Sequence, residues 1–294
     1  MFNYNLILRK FKKCCAKDSV NVQELYDSIM KIMPDKYKVD FAMDVLKFKP
    51  LVVDVSKLNK EVVENHDIAN CVRLLEQSWL IGRYFDKGLE AIAYYGSAED
   101  CYRVIMCFDL KSDCKKLKSV TTDNERGLKM MSCIYLMDTK VLASKNAKYN
   151  FDIANMVCNG DLAKCINQNN HIDAVIDSEN GEYMSRLLSE GNRFDLDNEK
   201  INEIVDILCD KKYSSQNKCK ALISLGKLEG NQYNNYAKLY QSIVEKGNPM
   251  YIYALRKSYE YSKKYDEARA YLTSKEKDYT DMDLVSERED TFAR

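Results

Sequence analysis

A short recurring pattern between residues 60 and 250 constrains the fold of this chain more than any other feature. In five segments a β-branched aliphatic residue is followed, five positions later, by Asp, Ser or Asn. Such residues accept hydrogen bonds from the free amides of a helix's first turn, so each copy predicts that one helix ends and another begins. An aliphatic residue seven positions beyond each predicted cap indicates an amphipathic new helix. The aliphatic residues, predicted caps and later aliphatic residues are Val62, Asp67 and Leu74; Ile92, Ser97 and Val104; Val141, Asn146 and Ile153; Val175, Asn180 and Leu187; and Ile243, Asn248 and Leu255.

The spacing of these copies predicts a repeat of about 34 residues in the second half of the chain. Val141 and Val175 are one such period apart, and Ile243 lies two periods beyond Val175. A further copy is therefore predicted between them, with Ser214 as its helix cap. In the front half the interval from Val62 to Ile92 is shorter than this period and the interval from Ile92 to Val141 is longer, which indicates extra residues around 115–130.

The period and the segment from Pro249 to Leu272 resemble the tetratricopeptide (TPR) repeat family. Five residues follow that family's spacing of large, aromatic, aromatic, small and large side chains, although Arg256 stands where the family usually has a small residue. The preceding unit has Leu225 and Gly226 together, and its middle fits with a shift of one residue. The resemblance covers residues 208–272 through such positions and 60–207 only through period and caps. The five residues are Leu255, Tyr259, Tyr265, Ala268 and Leu272.

This resemblance implies an all-α fold, an α-solenoid of degenerate helix-turn-helix repeats of the TPR-like kind. A HEAT-like array is the alternative for the front half, because it obeys the same packing rules with other repeat lengths. We expect a helical N-terminal cap region over 1–59, a repeat array over 60–272, and a polar, acidic tail or capping helix over 273–294. In the first region, one helix is predicted from Ser19 or Asn21 to Met33, and another from Pro34 to a point before Pro50.

Composition indicates a chain that folds in a reducing compartment. Lys plus Arg equal Asp plus Glu at 45 each, so no overall field draws it to polyanions. The 11 Cys include no C-x-x-C pair, which predicts free thiols and an intracellular, cytoplasmic location. Neither a signal peptide nor the ~18 apolar residues of a membrane span is recognised.

No catalytic or cofactor-binding motif is found, so we expect a non-enzymatic protein without cofactor or metal. His66 and His171 are the 2 His of the chain, and neither has metal-ligand spacing with Cys. The glycines form no phosphate-binding loop. An enzyme with its site in an unrecognised cleft stays as an alternative.

The leading functional hypothesis is a protein–protein interaction scaffold that binds a peptide or protein segment on a curved helical surface. The resemblance implies that Tyr253, Lys257 and Tyr261 point from a first helix into the concave groove. The alternative for these three is an ordinary solvated helix face. Trp79 would be a natural partner anchor if exposed, and a core residue otherwise.

A second hypothesis is a nucleic-acid-binding α-solenoid. The segment from Leu8 to Lys17 has five basic residues and no acidic one, and Arg9, Lys10, Lys12 and Lys13 are its candidate polyanion contacts. They would contact an acidic partner, nucleic acid or an anionic membrane. The alternative is an amphipathic first helix with its apolar side and its thiols, Cys14 and Cys15, buried. Further candidates in the irregular insertion are Lys115, Lys116, Lys118, Arg126 and Lys129.

Overall fold

The computed structural model describes residues 3–17, 20–77, 86–109, 125–157, 166–210, 212–228 and 232–244. Within these ranges the fold is all-α, with 15 α-helices, one 3₁₀ turn and no β-strand. No helix of this part is both long and apolar enough to cross a bilayer. The helices are α1 Tyr4–Cys15, α2 Val22–Ile32, α3 Asp35–Leu46, α4 Val55–Glu64, α5 Ile68–Glu76, α6 Asp86–Tyr95, α7 Ala98–Asp109, α8 Glu125–Ala143, α9 Ala147–Val157, α10 Gln168–Asp177, α11 Gly181–Ser189, α12 Gly191–Phe194, α13 Asn198–Cys209, α14 Ser215–Leu225 and α15 Tyr233–Val244, with the 3₁₀ turn at Pro50–Val52 between α3 and α4.

The predicted helix starts are confirmed wherever the structure describes them. Asp67 accepts a hydrogen bond from the amide of Asn70 at 3.2 Å, and Asn146, Asn180 and Ser214 cap α9, α11 and α14 in the same way. Ser97 forms a reciprocal pair with Asp100, in which each side chain accepts from the other's backbone amide. Asn248 and the segment from Pro249 to Leu272 lie outside the described residues.

The two N-terminal helices predicted from capping residues are also present. Asn21, one of the two predicted caps, accepts from the amide of Glu24 at 3.3 Å and begins α2. The other candidate, Ser19, lies outside the described residues. Pro34 precedes α3, which ends before Pro50. The start of α2 thus follows from a side-chain cap, whereas α3 begins after Pro34 without one.

The five-residue spacing between aliphatic residue and cap has a physical cause in the turn between the helices. Where α4 ends, the amide of Asp67 donates to the carbonyl of Val62 at 2.9 Å and the amide of His66 donates to Val63 at 3.1 Å. These two bonds define a Schellman turn, whose penultimate residue has a left-handed conformation. His66, Lys145 and Glu179 all have φ near 50°, and each immediately precedes a cap. The last carbonyls of one helix are thus satisfied just where the next helix starts.

The predicted repeat period is present in the helix starts of α9, α11 and α14. Their first residues, Ala147, Gly181 and Ser215, follow one another at intervals of one period, and all three are small and buried. The reason is close approach, because a Cβ added to Gly181 would lie 2.7 Å from Asn217 Nδ2 and 2.8 Å from Tyr213 Cδ1. The small side chain lets α14 pack directly on α11.

The chain divides into two compact units, 1–144 with 160–166, and 145–159 with 167–294, and this boundary falls inside the predicted repeat array. In the first unit an aromatic cluster joins α1, α2 and α3. The ring centroid of Phe11 lies 5.4 Å from that of Phe41, and Tyr26 stacks on Phe41 at 6.0 Å. Phe11 is 1% exposed, so the apolar side of α1 is buried.

In the second unit, helices that are not neighbours in sequence also pack against one another. α11 packs on α14, and α13 packs on α15. Side chains join residues about one period apart: Gln232 Nε2 donates to Asn198 Oδ1 at 2.8 Å, and Ser242 Oγ donates to the carbonyl of Cys209 at 2.9 Å. The core includes Leu187, which is fully buried as its position after the cap predicts. Helices that occupy the same place in successive repeats, such as α11 and α14 or α13 and α15, therefore lie side by side.

Candidate interaction surfaces

The four predicted polyanion contacts lie on α1 and are all exposed. We call Arg9, Lys10, Lys12 and Lys13 the basic face. None of them forms an ion pair with a carboxylate in the described part of the chain. The opposite side of α1 carries the buried Phe11, while Cys14 and Cys15 are partly buried. The amphipathic-helix interpretation is thus confirmed for the apolar side, and the basic face is available to a partner.

Two carboxylates of α3, those of Asp40 and Asp44, are already engaged. Arg73 donates to Asp40 at 2.8 Å and to Asp44 at 3.0 Å, and the hydroxyl of Tyr4 also donates to Asp44 at 2.6 Å. Lys47 lies 3.7 Å from Asp44 as well. Arg73 and Lys47 together carry as many positive charges as these two carboxylates carry negative ones, so the cluster as a whole does not offset the charge of the basic face.

Among the remaining polyanion candidates, the structure describes the side chain of Lys129. Lys115, Lys116 and Lys118 lie outside the described residues, as does the side chain of Arg126. Lys129 lies 3.5 Å from Glu125, one turn earlier on α8. The insertion therefore adds one described lysine, and that lysine is paired.

The predicted groove residues Tyr253, Lys257 and Tyr261 lie outside the described residues, and so does Trp79. Their equivalents at one or more periods earlier are described. The equivalents of Tyr253 are Cys219, Ser185 and Phe151, and all are buried. Those of Lys257 are the exposed Ser189 and the partly buried Asn155 and Ile223, and those of Tyr261 include the exposed Arg193 and Lys227.

An exposed stripe repeats along the helices that follow the caps. The second, sixth and ninth positions after a cap lie within about 60° of one another around a helix of 3.6 residues per turn. We call the exposed residues at these positions in the second unit the repeat face. Arg186 holds its guanidinium 4.3 Å from the ring centroid of Phe151 and 5.0 Å from that of Tyr183. The repeat face comprises Lys148, Glu182, Arg186, Ser189, Gln216 and Lys220.

A surface cleft of about 710 Å³ lies in the first unit, between α2, α3, the 3₁₀ turn and α4. Tyr26 contributes to its wall, and burial, with Asp27, Glu61 and Asp54, raises the pKa of its hydroxyl to about 12. Lys38 lowers the pKa of Asp35, the direction opposite to that of a general acid working near neutral pH. The charged lining residues are Asp27, Asp35, Asp54, Glu61, Lys31, Lys38 and Lys57.

Both histidines contact other side chains of the fold. His171 is fully buried, and its Nδ1 lies 2.8 Å from Asn150 Oδ1. The ring of His66 lies 4.8 Å from that of Tyr95. Across the described ranges, no group of three His, Cys, Asp or Glu side chains is placed to hold a metal ion.

The described cysteines are free thiols, half of them buried. Burial raises the pKa of Cys71, Cys101 and Cys133 to about 11 and that of Cys219 to about 12. The thiolate is the nucleophilic form of cysteine, so these four side chains are unreactive at neutral pH.

Sequence reasoning missed one buried charge in the second unit. Lys218 is fully buried, and its Nζ donates to the carbonyl of Cys209 at 3.1 Å and to Ser242 Oγ at 2.5 Å. It stands four positions after its cap, like the buried Asn150 and Met184, so the period itself predicts burial there. Its charge-assisted bonds join α14 to α13 and α15, which indicates a structural role.

The surfaces and the cleft are the features from which a function can be inferred. Neither the sequence nor the fold matches a known protein family, a characterised protein or a solved structure.

Proposed function

We propose that this chain is a non-enzymatic interaction scaffold whose second unit is a TPR-like α-solenoid. The observation that supports it is the regular one-period spacing of the starts of α9, α11 and α14 together with the side-by-side packing of equivalent helices. Stacked equivalent helices present equivalent residues in rows, and such rows suit an extended peptide or protein segment.

The repeat face is the proposed binding surface. Arg186 and Lys220 occupy the same position in successive repeats and are both exposed. Two cations in one row favour a partner segment that carries carboxylates or phosphates. Since Phe151 and Tyr183 fix the guanidinium of Arg186, part of this surface is ordered before a partner arrives.

The test is affinity capture from the native source at two salt concentrations, followed by identification of bound protein and nucleic acid. The wild-type chain is compared with an Arg186→Glu/Lys220→Glu variant. The matched control is Lys36→Glu/Lys87→Glu, which reverses two exposed charges in the first unit. We expect a protein that the wild type and the control retain and the repeat-face variant loses. Retention of no protein above the bare support, or equal retention by all three, would refute the proposal.

A second candidate function, polyanion contact through α1, is favoured by the unpaired basic face. Up to four phosphates can be contacted by its four cations, and each contact steepens the salt dependence of log K by about 0.9. Binding to an oligonucleotide and to an anionic vesicle is therefore measured at two salt concentrations. We expect an Arg9→Glu/Lys13→Glu variant to lose affinity for at least one of the two. Affinity that neither salt nor charge reversal alters would exclude this function.

A further inference from the structure

The basic face continues onto a second element of the first unit. At the end of α1, the ring centroid of Phe11 lies 6.1 Å from that of Phe48, and Lys12 Nζ lies 5.1 Å from the same Phe48 ring. Burial raises the pKa of Cys15, and the neighbouring Lys49 opposes that shift. Phe48 and Lys49 therefore adjoin the C-terminal half of α1.

Two residues beyond Lys49, a leucine side chain is exposed to solvent. Leu51 is 98% exposed, the most of any large hydrophobic side chain in the described ranges. Its 3₁₀ turn is held in place, because Val52 donates its amide to the carbonyl of Lys49 at 3.2 Å and Gln23 Nε2 donates to the carbonyl of Val52 at 3.3 Å. Val53, the residue that follows the turn, is buried. The anchored turn thus keeps the leucine in solvent instead of letting it fold back.

Both signs of charge occur around Leu51, and the cations are more numerous. Asp54 follows it by three residues and caps α4, and Asp27 accepts from Gln23. Lys49 precedes Leu51 by two residues, and the four cations of the basic face lie on the adjoining helix. Asp40 and Asp44, which belong to α3, are bound by Arg73. We call the basic face together with Lys49 and Leu51 the basic–leucine surface.

We infer that the basic–leucine surface docks on an anionic lipid bilayer. Lysine and arginine attract the headgroups of anionic lipids, and an apolar tip gains free energy when it enters the boundary between headgroups and acyl chains. On single-stranded nucleic acid, unstacked bases are held by aromatic or guanidinium planes, and a leucine supplies neither. Phe48, the aromatic side chain next to this surface, is covered by Lys12. The inference rests on the second candidate function and specifies its ligand.

The test uses the full chain in vesicle sedimentation, with phosphatidylcholine vesicles that contain or lack phosphatidylserine. We expect binding only to the phosphatidylserine vesicles. Leu51→Ser should weaken it about tenfold, the lower end of what burial of a leucine side chain is worth. Lys12→Glu/Lys13→Glu should weaken it at least as much, since each cation near the surface contributes about a fivefold effect.

Two matched controls and a competing ligand make the outcomes distinct. Leu128→Ser alters another exposed leucine of the first unit, and Lys36→Glu/Lys87→Glu alters two other exposed lysines. Neither should change vesicle binding. Circular dichroism checks that each variant keeps its helices. Failure to bind phosphatidylserine vesicles, or binding that Leu51→Ser leaves unchanged, would overturn the inference. If an oligonucleotide binds through the basic face while vesicles do not, polyanion contact stands and the lipid assignment falls. If neither binds, both fall.

Discussion

Replacement of Lys145 by glycine should stabilise this protein, although the same replacement usually destabilises a helical one. Lys145 has φ 51° and stands between Ser144 and the cap Asn146. Its side chain is exposed and forms no ion pair in the described part of the chain. An L-residue in the left-handed region costs about 1–2 kcal/mol, because its Cβ comes too close to the following carbonyl oxygen. Glycine has no Cβ and so avoids this cost.

The expected gain follows from two opposing terms. Glycine also gives the unfolded chain more freedom, which lowers the free energy of unfolding by about 0.4–1 kcal/mol. The midpoints of the two ranges give a net gain of about 0.8 kcal/mol for Lys145→Gly. Lys220 is an exposed lysine inside α14, where glycine should instead cost about 1 kcal/mol. The two Lys→Gly changes are thus expected to have opposite signs.

Urea unfolding followed by circular dichroism measures both variants. The midpoint should rise for Lys145→Gly and fall for Lys220→Gly, with the slope unchanged in each. A fall in both midpoints would show that the turn before Asn146 is not left-handed, and would refute this account of the five-residue spacing. His66 and Glu179 are poorer tests, because His66 lies against Tyr95 and Glu179 forms an ion pair with Lys212.

Three further predictions concern the packing and ionisation of the second unit. Leu187→Ala should cost about 2–5 kcal/mol because the side chain is fully buried, whereas Ser189→Ala, two residues later, should change stability by no more than about 0.5 kcal/mol; equal urea midpoints would show that the repeat register is wrong. Gly181→Ala should cost about 1–3 kcal/mol, since the added methyl group meets Tyr213 and Asn217, and an alanine variant as stable as wild type in the same assay would contradict that close approach. Burial raises the pKa of the Cys219 thiol from 9.0 to about 12, so the native state holds this proton more tightly than the unfolded state. The contribution of the Cys219 thiol to the free energy of unfolding is complete below about pH 9. It is lost as pH rises toward 12, at up to about 1.4 kcal/mol per pH unit. The free energy of unfolding, measured by urea titration at several alkaline pH values, should therefore fall more steeply in wild type than in Cys219→Ala; parallel curves would contradict the shift.

Helix starts were predictable because capping is a local interaction. Asp67, Asn146 and Ser214 each bond to an amide three residues later, and a sequence shows such neighbours directly. The aliphatic residue five positions before Asp67, Asn146 and Asn180 was also predictable, since three residues separate the two helices at each of these turns. Even the copy centred on Ser214, inferred only from the period, begins a helix at the expected residue.

The surfaces required the tertiary structure. Arg9 and Lys13 were recognisable as a basic run, yet only the fold shows that α3's carboxylates are engaged by Arg73, 29 and 33 residues away in sequence. The exposure of Leu51 carries no sequence signal, because a leucine beside Val52 and Val53 resembles a core residue. Its position depends on a turn held by Gln23, 29 residues earlier than Val52.

The predicted caps, the repeat period and the apolar side of each capped helix could thus be inferred from the residues alone. These properties depend on bonds within a few residues and on the 3.6-residue turn of the helix. The tertiary structure decided which apolar sides meet, which charges are already paired and which side chains stay in solvent. Those outcomes depend on distances between residues that are far apart in sequence, and such distances are set by the packing of whole helices against one another.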